Sequence, residues 1–240
     1  MMEARADEII KKLNDMAELD GDLSESKLGQ LDLFGIRGMR FLDISHEKLL
    51  ELVEEIGYPR QDLAAELWES NQYEAKILSC MLSDPNEITE KQADDLVNSM
   101  SSWMLSEYFC GKILWKLPFA LKKAAEWADS NTETVLCTGF NLIASIAYRA
   151  SETTGGKPGF FDNALFLARK HASDASQLVR KSISSALAMI GKINRNWHEA
   201  AVETAEEIAM QPSAEARWVA SQALGELRST RVSNSLFQGE

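Results

Sequence analysis

Apolar residues recur along the chain at the three- and four-residue spacing of a helix face, and no stretch alternates for long enough to predict a strand. Ile9, Ile10, Leu13 and Met16 form the stripe of a first helix. Leu49, Leu52, Val53 and Ile56 repeat it. Gly57 and Pro59 predict where that helix stops, because Gly accepts the backbone of a C-terminal cap and Pro cannot continue a helix. Leu63, Ala64, Leu67 and Trp68 mark another helix. Tyr73, Ile77, Cys80 and Met81 mark the next, which Asp84-Pro85 ends.

Three segments share a design: QYEAKILSCMLSD (72–84), QLVRKSISSALAMIG (177–191) and EARWVASQALGEL (215–227). Each sets a base (Lys76, Arg180, Arg217) ahead of an apolar face rich in Ala, Ser and Leu. Arg180 and Arg217 are 37 residues apart, and the 104 residues from Lys76 to Arg180 leave room for two or three further units. Helix pairs recurring at about 35–47 residues are the mark of HEAT-like repeats. One pair cannot bury its own apolar face, so neighbours stack into a curved solenoid with a concave side. The expected fold is therefore all-α, a single repeat domain over 1–240. Residues 1–57 would cap it, and 229–240 would be a tail. About five helix pairs would fill 58–228: 59–70 with 72–84, 88–101 with 104–115, 117–129 with 131–149, 159–172 with 176–192, and 197–210 with 213–227. SETTGGKPG (151–159) is expected to be a turn, since Pro158 stands where a phosphate-binding loop needs Ser or Thr and no strand precedes it.

Charge narrows the choice of partners. The net charge is −12. Residues 1–100 hold 23 acidic and 10 basic residues, whereas 101–240 hold 14 and 15. A surface that grips nucleic acid is usually basic, so any such surface here is local to the second half. No apolar run reaches the roughly 20 residues of a membrane span. The start, MMEARADEIIKKLNDM, lacks the apolar core of a signal peptide, so a cytoplasmic location and no membrane partner are expected. The three cysteines have small or apolar neighbours and no CxxC spacing, which predicts buried reduced thiols. The histidines are dispersed, so neither a metal nor a cofactor is expected.

In SSWMLSEYFCGKILWKLPF (101–119), Glu107 follows Trp103 by one helical turn and shares its face. A ring beside a carboxylate can hold a cation. It can also be a packed ring beside a solvated acid.

The segments LWESNQYEAKILSCMLSDP, MSSWMLSEYFCGKIL, TVLCTGFNLIASIA, LVRKSISSALAMIGKINRN and EARWVASQALGEL resemble, in order and spacing, the AlkD-type DNA alkylation repair family. With FGIRGMRFLDISHEKLLELVEEIG, the resemblance covers roughly residues 30–230. It implies an all-helical HEAT-like solenoid that holds duplex DNA and releases cationic alkylated purines such as 3-methyladenine and 7-methylguanine. It also implies a cleft with two Trp, an Asp one turn after the first, and an Arg. A base that is already cationic needs no protonation to leave. It needs negative charge near the developing oxocarbenium sugar, aromatic faces, and a basic anchor for the phosphates. On that pattern the first Trp is Trp103, the Asp position holds Glu107, the Arg position holds Cys137, and the second Trp position holds Ser185. Leu50, Glu54 and Ala188 stand where the family commonly has Arg.

The expectation is a DNA-binding family protein with weak or no glycosylase activity. The alternative is a non-catalytic scaffold that takes a protein or a small cationic ligand in its concave face. Arg180 and Lys181, which begin an inner helix, are candidate DNA contacts with Lys192 and Arg195; solvated surface is the other reading. Lys116, Lys122, Lys123, Arg169 and Lys170 could lie on the same face. Trp68, Trp115 and Trp127 are expected in the core. A capped solenoid need not oligomerise, so a monomer is expected.

Overall fold

A computed structural model describes residues 5–20, 36, 39–100, 102–150, 158–173, 176–230 and 232. Of the turn expected at 151–159, residues 151–157 lie outside these residues, while Pro158 and Gly159 begin a helix; of the tail expected at 229–240, residues 231 and 233–240 lie outside them. Among the described residues there are twelve α-helices and one 3-10 turn (Leu114–Lys116). There is no strand beyond a single parallel bridge between Arg40 and Gln72. The all-helical fold predicted by the periodicity is the one observed. The helices fall into two compact units, one ending at Leu117 and the other beginning at Pro118.

The first unit contains α1 (Ala6–Asp20), α2 (His46–Ile56), α3 (Gln61–Trp68), α4 (Tyr73–Leu82), α5 (Glu90–Ser99) and α6 (Trp103–Lys112). The stops read from sequence are in place: α2 ends at Ile56 with Gly57 at φ 91°, and α4 ends at Leu82 ahead of Asp84-Pro85. Starts are set by caps. Ser45 accepts from the Lys48 amide, and Thr89 and Gln92 form a reciprocal capping box on α5. Helix α4 is the centre of this unit and packs on α1, α2, α3 and α6. Leu13, Leu49, Leu52, Ile56, Leu63, Leu67, Leu78, Leu82 and Leu105 meet there, each burial contributing about 1.5–3 kcal/mol.

The segment leading to α2 is fixed by a buried acid. Glu74, 1% exposed, accepts from the Leu42 and Asp43 amides at 3.0 Å. Asp43 adopts φ 59°, a left-handed turn that aims successive amides at the carboxylate. Burial holds the Glu74 carboxyl above its usual range, and backbone hydrogen bonds, these among them, offset only part of that rise.

The second unit contains α7 (Ala120–Trp127), α8 (Glu133–Ala150), α9 (Pro158–His171), α10 (Gln177–Ile190), α11 (Arg195–Ala209) and α12 (Ala214–Leu227). Helices α8, α10 and α12 pack side by side as one row, and α7, α9 and α11 form the other. Ser176, Asn194 and Ser213 cap α10, α11 and α12. Gly139 of α8 lets the end of α7 come close: a Cβ there would lie 2.2 Å from the Ala128 nitrogen and 2.6 Å from its Cα. At Gly191 a Cβ would meet the Leu227 Cδ2 at 2.2 Å, the tip of a flexible side chain, and the Ala201 Cβ at 3.2 Å.

Gly139→Ala should therefore destabilise the protein by about 3 kcal/mol, because backbone must move. Gly191→Ala should cost distinctly less. Urea unfolding of both variants checks this, and an unshifted midpoint for Gly139→Ala would refute the close-approach account.

Candidate functional site

Helix α6 buries Leu105, Ser106, Phe109 and Cys110 and turns Trp103 and Glu107 away from that face. Trp103 is half-buried and Glu107 is exposed, about 6 Å further along the axis. Neighbouring protein atoms still crowd Glu107, and that desolvation raises its carboxyl above the usual range. Among the described residues the Glu107 side chain makes no hydrogen bond or ion pair. Its charge reaches Tyr73, at the start of α4. The Tyr73 phenol is pushed upward first by burial, then by Glu74 and Glu107. Aromatic rings surround this corner: Tyr73 lies 5.4 Å from Phe41, and Tyr108 lies edge-on to His46 at 5.9 Å. The Tyr108 hydroxyl is buried without a partner. Sequence reading picked out the Trp103–Glu107 pair but missed Tyr73 and Tyr108. The helical spacing of Tyr73 looks like core, and only the fold carries it to Glu107; Tyr108 follows Glu107 in the chain, but its buried hydroxyl is visible only in the fold.

Cys137 sits in α8, 3% exposed, beside Ser182 of α10. Burial pushes its thiol up to about 12, with the Ser182 hydrogen bond opposing the shift. Ser185 is half-buried on α10, one turn beyond Ser182. These two positions thus lie on adjacent helices of the second unit. Cys80 and Cys110 are also buried with raised thiols, as their apolar context predicted. No three His, Cys, Asp or Glu side chains gather to hold a metal ion among the described residues.

The candidate bases do not form one group. Arg180 and Lys181 lie in the first turns of α10, while Lys192 and Arg195 lie past its other end, roughly 15–20 Å away along the axis. Lys192 donates to Glu226 at 2.6 Å, and Arg195 pairs with Glu199 at 3.4 Å. Arg169 holds Glu207 at 2.7 Å, Lys170 bonds Asp129, and Lys123 is buried against Glu126 at 2.9 Å. Arg180 differs: its guanidinium lies 5.4 Å from the centre of the Trp218 ring. Trp68 and Trp127 are buried as expected, and Trp115 is half-buried with its Nε1 bonded to the Gly111 carbonyl.

Residues 16–227 match the family model described as DNA alkylation repair enzyme. A solved structure described as belonging to a new family of proteins related to the HEAT-like repeat DNA glycosylases, with affinity for branched DNA structures, matches with a TM-score of 0.71. It is 16% identical, and the alignment covers 85% of this chain and 83% of that one. At that identity the likeness is one of fold, and the fold is HEAT-like. A designed armadillo repeat protein matches at a TM-score of 0.40, 19% identity, 90% of this chain and all of that one. No curated protein matches the sequence. No helix among the described residues is long and apolar enough to cross a membrane.

The raised Glu107 carboxyl gives a test of its crowding. A carboxyl whose folded pKa exceeds its unfolded value favours folding when protonated, and that stability is lost as pH rises through the folded pKa. Glu107→Gln should therefore stabilise the protein at pH 7, and the gain should vanish below the normal Glu range. Thermal unfolding across pH 3–8 measures it; equal melting of the two proteins at every pH would show that Glu107 is simply solvated.

Proposed function

Since the chain belongs to the DNA alkylation repair enzyme family, we propose that it is a DNA-binding member with weak or no glycosylase activity toward cationic alkylated purines such as 3-methyladenine and 7-methylguanine. The observation that carries this reading is Cys137. At the position where the family resemblance puts an Arg there is a thiol, buried and pushed up to about 12, so it is neutral at physiological pH. It offers a DNA phosphate no charge. Ser185, in the place of the second Trp, offers no ring.

Half of the family site remains. Glu107 keeps negative charge on the Trp103 face, where it would stabilise a developing oxocarbenium sugar, and Trp103 would form the aromatic wall. The extra methylene of Glu over Asp moves the carboxylate by about 1 Å, a displacement that can cost on the order of 100-fold in rate. In this reading Arg180 and Lys181 contact the DNA backbone. Lys192 and Arg195 contribute less, because each already faces an acid. The related protein with affinity for branched DNA makes branched duplexes the form to try beside linear ones. The family match runs through both units, which supports one repeat domain. We take that domain to act as a monomer in the cytoplasm. The acidic first hundred residues favour a second reading, a scaffold for a protein or a small cationic ligand, which predicts no retention of DNA.

Incubation with alkylated duplex should release 7-methylguanine at no more than about one-hundredth of the rate of an active family member. Glu107→Gln should abolish any remainder while leaving DNA binding intact. Fast release that survives Glu107→Gln would overturn the proposal, and failure to retain linear or branched DNA would favour the scaffold.

A further inference from the structure

We propose that Arg180 and Trp218 form an oxyanion site in the second unit that takes a phosphate group. Arg180 comes from α10 and Trp218 from α12, two helices packed against each other. Both side chains are half-buried, and the Arg180 guanidinium carbon lies 5.4 Å from the ring centre. The Arg180 Nε is shut off from solvent and has no hydrogen-bond partner. Among the described residues the guanidinium makes no hydrogen bond and no ion pair; the ring is its only contact of this kind.

That sets Arg180 apart from its basic neighbours. Arg169, Lys170, Lys192, Arg195 and Arg228 each face a Glu or Asp. The acid nearest in effect is Glu215, which accepts from the Ser213 hydroxyl at 3.0 Å. Its carboxyl is held low first by backbone and Ser213 hydrogen bonds, with the charges of Arg180 and Arg217 adding to them. It forms no ion pair with Arg180. A half-buried cation that has lost water at Nε without gaining an acceptor is held at a cost. The Trp218 face offsets part of that cost and fixes the position of the fork. A guanidinium so held presents its remaining N–H donors to two oxygens of one anion, the geometry that suits phosphate. Arg217, exposed beside Trp218, adds to the positive field.

A DNA phosphodiester and a free phosphate group share this chemistry. The DNA case rests on the DNA-binding reading above; the free-phosphate case does not. Two measurements on the full chain separate them. The buried Nε–H is shielded from exchange with water and should give its own NMR signal, assigned by its loss in Arg180→Lys. Inorganic phosphate should shift that signal saturably. Separately, duplex binding is measured over a range of salt. Arg180→Gln should weaken it about tenfold and lower the salt slope by about 1. Trp218→Leu keeps the charge and should weaken binding about threefold at an unchanged slope. Unfolding midpoints confirm that both variants fold. A signal that phosphate does not move, together with DNA binding indifferent to both substitutions, would sink the proposal. A shift with phosphate but no effect on DNA binding supports a site for free phosphate. Where the wild-type chain binds no DNA, the DNA-binding reading fails by itself, and the phosphate titration alone decides this site.

Discussion

Helix α8 has to be covered on two sides at once, and the second unit is organised by that demand. Twelve of its eighteen residues are buried, far more than the single stripe a surface helix hides. Helix α7 supplies one cover and α10 the other. The first cover works because Gly139 presents no Cβ to the chain turning at Ala128. The second places Cys137 beside Ser182. The uncharged thiol at position 137 and the closure of the core are therefore one fact. A charge set there without a partner would carry the desolvation cost of any buried ion.

Local chemistry made most of the fold legible. Gly57-Pro59 and Asp84-Pro85 end helices where the sequence reading put the stops, whereas the caps Ser45, Thr89 with Gln92, Ser176 and Ser213 came to light only in the structure. The helices of the second half were legible because apolar residues recur there at helical spacing. Glu74 was not legible. In sequence it is one acid in the first turn of a helix, and its true partners are amides some thirty residues earlier. Tyr73 was hidden for the same reason, being part of an apolar stripe until the fold sets it near Glu107. The Trp103–Glu107 pair was visible because both lie on one helix one turn apart. The face they share was thus readable, but not the desolvation that Glu107 suffers there.

Charge is where sequence and structure part most clearly. Counting bases in the second half left room for a local basic face. The structure gives many of them acids from another helix, as with Lys192 and Glu226 or Arg169 and Glu207, pairs 34 and 38 residues apart. Such pairs between exposed groups contribute little stability, about 0–1 kcal/mol each. Their larger effect is on the field, since a base already facing a carboxylate attracts a polyanion weakly. An acidic protein can then meet DNA through few contacts, provided those few are not neutralised by its own side chains.

The burial of Cys80, Cys110 and Cys137 has a chemical consequence of its own. Thiolate is the form of cysteine that electrophiles attack, and desolvation here keeps all three sulfurs protonated and out of reach. The reagents that methylate purines are electrophiles of that kind. Set among them, the protein presents none of its three thiols at its surface.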